Sequence, residues 1–249
     1  MTATQERKQP KAKRGLPWLL EIYRTDVGKK YAMAISGVIG LGFITFHMIG
    51  NLHVFEGFDQ AAGEFRLNEY GEALRDVGEP IAPRTLLLWL LRIPLMLALV
   101  VHVHAAYSLT RSNQKARGEL RYEGRSYIAA NYASRTMRWS GIIILAFIAW
   151  HLADLTWGVE AVNPDFERGA VYENLVASLE RWPVALFYLI AQGALAFHVW
   201  HGSWSLFQSL GWNSPRFNKW RRMFATGLTI VVITGFVAVP VGVQVGLIS

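Results

Sequence analysis

Cysteine is absent from this 249-residue chain, and charge is scarce: Asp, Glu, Lys and Arg make up 17% of it. The first absence excludes a thiolate zinc site, an all-cysteine iron–sulfur cluster and a disulfide framework. The second argues against an ordinary soluble domain, which carries about 25% charged residues. Acidic residues are the scarcer sign, 18 against 25 Lys and Arg, for a formal charge of +7. That excess raises the question of nucleic acid. The basic residues lie between long apolar runs, however, where orientation in a membrane accounts for them, so no nucleic-acid partner is expected. What the chain has in quantity is apolar surface: 52% hydrophobic residues and ten Trp. The opening Met1–Arg14 lacks an apolar run directly after its charges. Residues 1–15 read as a disordered basic tail and not as a cleaved signal peptide. No repeat of fixed period stands out.

A membrane span needs about 20 mainly apolar residues. Five segments qualify, at about 31–54, 85–110, 137–158, 183–208 and 223–248. Only helices satisfy the backbone at that depth in an open bundle. The expected fold is an all-α integral membrane protein, a bundle of five transmembrane helices over residues 31–249. The loops alternate in sign: basic up to Lys30, acidic over Glu56–Arg84, basic over Arg111–Arg138, acidic over Val159–Trp182, basic over Asn213–Arg222. The positive-inside pattern then places the N-terminus inside and the C-terminus outside a cytoplasmic (inner) membrane. Residues 16–30, with Trp18, Leu19, Leu20 and Ile22 among charges, read as an interfacial helix on the inner surface.

All seven histidines lie in or beside these spans. An ionisable residue in lipid is costly and marks function, and neutral imidazole is a common axial ligand of haem iron. Counting from the inner ends at the helical rise puts His47 and His151 at roughly 24 and 21 Å, and His102 and His198 at roughly 12 and 15 Å. Each layer thus draws one histidine from each of two helices. Two bis-histidine haems stacked across a bilayer need that arrangement; hydrogen bonding between helices is the plainer reading of any one such residue. His104 follows His102 by two residues and points about 200° around the helix, whereas His201 follows His198 by three and shares its face. His53 sits at the outer edge. Arg92, a third of the way into the second span beside Pro94, either pairs with a haem propionate in the outer layer or snorkels to the interface. Asp154 either orients a ligand and passes protons, or is a helix-end carboxylate in water. Gly37, Gly40 and Gly42 admit a neighbouring helix or a flat macrocycle. Near the inner end, Tyr23, Arg24, Ser36 and Arg138 are the candidate proton donors.

Several strings occur together: GKKYAMAISG at 28–37, HMIGNL at 47–52, His102 ahead of Asn113 and Ala116-Arg117, and HVWHGSWSLFQSLG at 198–211. In them the chain resembles the cytochrome b membrane-anchor subunit of succinate dehydrogenases and fumarate reductases, in its single-chain, five-helix form. The resemblance implies an anchor for a flavoprotein subunit and an iron–sulfur subunit at the inner face. Electrons from succinate would pass through the iron–sulfur clusters to this chain and then to a quinone, the substrate. It also implies haem b, one or two per chain, with His47 and His151 around the distal group and His102 and His198 around the proximal one. The four inner-layer histidines leave a histidine-ligated iron–sulfur centre as an alternative there. Two rival functions are a dihaem anchor of another membrane dehydrogenase or hydrogenase, and a transporter whose histidines relay protons.

Overall fold

The computed structural model describes residues 17–117, 132–212 and 214–249, with the side chains of 117 and 132–135 excepted. The basic tail, and residues 118–131 of the basic loop, fall outside them. Helix α1 spans Trp18–Arg24, α2 Asp26–Asn51, α3 Arg66–Asp76, α4 Leu86–Arg117, α5 Tyr132–Leu152, α6 Val171–Glu180, α7 Trp182–Ser209 and α8 Pro215–Gln244. A 3₁₀ turn follows α2 at Leu52–Glu56, and a π turn follows α5 at Ala153–Trp157.

Among the described residues, five helices are long and apolar enough to cross a membrane. They are α2 with its 3₁₀ turn, α4, α5 with its π turn, α7 and α8. Two begin well before the expected spans: α2 at Asp26 and α8 at Pro215. Apolar counts locate the part of a helix within hydrocarbon, while the backbone stays helical through its charged ends. α1 is separated from α2 by Thr25, which is extended (ψ 151°) and whose hydroxyl accepts the Gly28 N–H at 2.9 Å, a regular N-cap. A Cβ at Gly28 would run into the Ile22 carbonyl, so glycine is required for the two helices to meet there. Large apolar side chains cover the outside of the bundle; Phe46, Leu91 and Trp139 are each at least 70% exposed. In water that surface would aggregate, and in lipid it is solvated.

The helices pack as two hairpins, α4 on α2 and α7 on α5, with α8 laid against α7 and also meeting α2. The chain between them builds a cap at the end where the acidic loops lie. There Phe58–Asp59 (β1) pairs antiparallel with Glu64–Phe65 (β2), Phe58 opposite Phe65. The Ala61 N–H first, then Arg66, hold the Asp59 carboxyl below the usual carboxylate range. Phe65 stacks on Tyr172 of α6 at 3.7 Å, and Asn68 of α3 accepts the Tyr172 N–H at 2.8 Å. Val54, Leu67, Leu175, Leu179, Val239, Val243 and Ile248 close one continuous core beneath. The sequence reading had α3 and α6 inside plain acidic loops; they are short helices whose apolar faces seal the bundle's acidic end.

Candidate metal centres between paired helices

The packing exposes a repeat that the sequence reading missed. SGVIGLGFITFH at 36–47 of α2 returns as SGIIILAFIAWH at 140–151 of α5, with seven of twelve positions identical. Each copy starts with Ser-Gly and ends, eleven residues after the serine, in histidine. The partner helices repeat too: ALVVHV at 98–103 of α4 corresponds to ALAFHV at 194–199 of α7. The two hairpins therefore carry matching segments, too far apart in the chain for a short fixed period to reveal them.

His102 and His198 come together with ring centres 6.2 Å apart and planes at 57°. Their surroundings are duplicated. His102 Nδ1 lies 3.1 Å from Ser36 Oγ, and His198 Nδ1 lies 3.3 Å from Ser140 Oγ. Each serine hydroxyl donates to its own helix, Ser36 to the Ala32 carbonyl at 2.7 Å and Ser140 to the Met137 carbonyl at 3.0 Å. Each oxygen is left to accept, so each imidazole carries its proton on Nδ1 and keeps the Nε2 lone pair free. Gly37 and Gly141 face the same rings; a Cβ would stand 3.6 Å from His102 Cε1 and 3.7 Å from His198 Cε1.

His47 and His151 form the second pair, ring centres 5.8 Å apart and planes at 78°. Here too the copies correspond: Phe43 stacks on His47 at 5.2 Å and Phe147 on His151 at 5.5 Å, each one turn before its histidine. By helical rise the two pairs stand about 16 Å apart, the eleven residues from Ser36 to His47 or from Ser140 to His151. Beyond His151 the likeness ends. Its Nδ1 lies 3.3 Å from the Tyr188 hydroxyl, which donates to Asp154 Oδ2 at 2.8 Å. Ser178 donates to the same oxygen at 2.6 Å, and Arg181 Nη2 stands 3.5 Å from Oδ1. Asp154 is fully buried, so it is not a carboxylate in water. The π turn brings it under α6 and α7.

Two imidazoles sharing one metal through Nε2, at about 2.0 Å each, hold their ring centres roughly 6 Å apart. Both pairs meet that measure. Each offers two neutral nitrogens and no thiolate, a donor set that suits iron already held in the plane of a porphyrin. Among the described residues no three His, Asp or Glu side chains converge on one point. Helix packing does not account for Gly40 or Gly42, since no atom lies within 4 Å of where a Cβ would be.

The remaining histidines go elsewhere. His104 is exposed and hydrogen-bonded to Tyr23 at 2.5 Å. His53 pairs with Glu56 at 3.0 Å and stacks on Tyr70. His201 lies edge-on to Trp204, its Nδ1 without a hydrogen bond. The inner crowd of four imidazoles therefore resolves into one facing pair and two outliers. Of the candidate quinone donors, Ser36 is committed to His102, while Arg24 and Arg138 are exposed. Arg92 is exposed, its guanidinium over Trp89, and lines a recess of about 420 Å³ with Arg75, Arg84, Arg168 and Thr156. Arg92 precedes His102 by ten residues, as Tyr188 precedes His198, so the repeat puts it in the place that Tyr188 takes in the other hairpin.

Five long apolar helices among the described residues, four of them in two similar hairpins and the fifth laid against them, define a multi-pass membrane protein. The chain belongs to the succinate dehydrogenase/fumarate reductase transmembrane subunit family, whose profile matches residues 111–239, just over half of its length. It is thus a membrane subunit of that enzyme complex. The matched stretch holds one histidine of each pair, His151 and His198, and the repeat relates them to His47 and His102. No curated protein and no solved structure matches the chain.

Proposed function

We propose that the chain is the membrane anchor and electron-transfer subunit of a succinate:quinone oxidoreductase, passing electrons from an iron–sulfur subunit to a quinone. The observation that carries this reading is the pairing of four imidazoles, from four helices, into two couples at 5.8 and 6.2 Å. His102 with His198, and His47 with His151, would hold one b-type haem each. A bound haem supplies a one-electron carrier at each level. The residues of the chain do the rest: Ser36 and Ser140 present the Nε2 lone pairs, and Phe43 and Phe147 brace the second pair of rings.

The basic loops support an orientation with the N-terminus inside a cytoplasmic membrane, and with the flavoprotein and iron–sulfur subunits docked on that face. The His102/His198 couple is nearer to that end and would receive the electron first. Quinone reduction also needs protons. Tyr23 with His104 is the best-placed donor, beside a recess of about 420 Å³ lined by Lys29, Tyr107, Ser108, Arg111 and Lys115. The test is an absorption spectrum of the purified complex, oxidised and then reduced, with haem counted per chain. Two b-type haems are expected, and one after His198→Ala, with succinate oxidation by a soluble dye retained. A haem-free complex would overturn the dihaem assignment, and a chain that purifies without soluble subunits would overturn the anchor role.

A further inference from the structure

The repeat makes the His102/His198 couple symmetric: a serine hydroxyl, itself bonded to backbone, stands on each Nδ1. The His47/His151 couple is not symmetric. On its His151 side a buried carboxylate stands behind the imidazole, reached through a phenol; among the described residues none stands behind His47. The residue that corresponds to Asp154 in the other copy is Gly50, and the one that corresponds to Tyr188 is Arg92. The two copies therefore differ in charge: a buried carboxylate stands behind His151, and the position matching Tyr188 holds an exposed arginine.

From this broken symmetry we infer that Tyr188 and Asp154 are positioning residues that fix the His151 tautomer and, through it, tune the reduction potential of the His47/His151 centre downward. The inference rests on that couple binding a redox metal, as proposed above. The phenol has one proton and gives it to Asp154 at 2.8 Å, so its oxygen must accept from His151, which fixes the imidazole proton on Nδ1. The Nε2 lone pair of His151 is thereby left free. A carboxylate behind a ligating imidazole raises the ligand's basicity, whether in direct contact or, as here, through one hydroxyl. More electron density on Nε2 favours the oxidised metal, and so a lower potential. Arg181 sets the strength of the effect. It meets the far oxygen, Oδ1, at 3.5 Å, and its other nitrogen donates to the Val162 carbonyl at 2.6 Å. It balances the buried charge without touching the oxygen that Tyr188 uses.

The test is a redox titration of the intact complex, following the two haem signals separately by optical and electron paramagnetic resonance spectra. Tyr188→Phe removes one hydroxyl and keeps the ring; it should raise the midpoint of the His47/His151 centre and leave the other unmoved. Asp154→Asn should raise it further, because Arg181 then has no counter-charge. Arg181→Gln should lower it. Opposite signs on the two sides of one ion pair are the signature, since a general loosening of the site moves all three variants the same way. Unmoved midpoints in Tyr188→Phe and Asp154→Asn, or three shifts of one sign, would overturn the inference while the two haems in the parent complex left the proposed function standing. A parent complex without haem would overturn both.

Discussion

Replacing Ser36 or Ser140 with alanine isolates what holds the His102/His198 couple. Each serine oxygen accepts one hydrogen bond from an imidazole Nδ1–H, at 3.1 Å for Ser36 and 3.3 Å for Ser140. The backbone partners, the Ala32 and Met137 carbonyls, remain satisfied within their helices without the hydroxyl, so the loss falls on the ring. An imidazole N–H left without an acceptor in a partly buried site costs about 1–3 kcal/mol, or roughly 5- to 150-fold in affinity for whatever the ring ligates. His102 also meets the Met33 carbonyl, which can take over its N–H, so Ser36→Ala should cost less than Ser140→Ala. The serines touch different rings of one centre, so the double variant should lose about the product of the two effects. The assay is haem retained per chain during serial dilution in detergent, with the two centres told apart by their spectra. The His47/His151 centre serves as internal control. Unchanged retention in the double variant, or equal losses from both centres, would refute the argument.

Two further outcomes are expected. Tyr23→Phe, which removes the hydroxyl 2.5 Å from His104, should slow succinate-to-quinone turnover several-fold and spare dye reduction; equal rates would remove Tyr23 from the proton path. Gly158→Ala should destabilise the acidic-end cap by about 1–3 kcal/mol, because Gly158 caps the π turn at φ +61° and a Cβ there meets the Phe166 ring. Thermal unfolding of the purified complex checks it, and an unchanged midpoint would show that the turn tolerates a side chain.

The bundle was legible because hydrocarbon imposes a crude rule: long apolar runs must be helices, and alternating loop charge follows. The histidine pairs were legible for a related reason. Helical rise converts sequence position into depth, and depth alone sorted four imidazoles into two levels. Lateral detail was not legible. Nothing in the spacing tells that Ser36 and Ser140 stand behind the paired imidazoles, since which helices are neighbours is a property of packing. Spacing alone leaves Ser36 a candidate proton donor for that reason. Asp154 was read too near the surface, because α6 was not expected and it is α6 that brings Ser178 and Arg181 over the carboxylate. The signal that would have exposed most of this was the repeat itself. It is visible once residues 36–47 are laid on 140–151, and it escapes a search for short fixed periods because its copies lie 104 residues apart.

In each copy the histidine stands eleven residues after the serine. Eleven residues make about three full turns of an α-helix, so both ends of the segment look in nearly the same direction. A single inserted or deleted residue would swing His47 or His151 by about 100° and aim it at lipid or a neighbouring helix while leaving every residue type intact. Substitution anywhere along the segment is a local matter, but a change in its length is not. The two stretches of helix act as matched rulers: the length of each sets the direction in which its histidine faces.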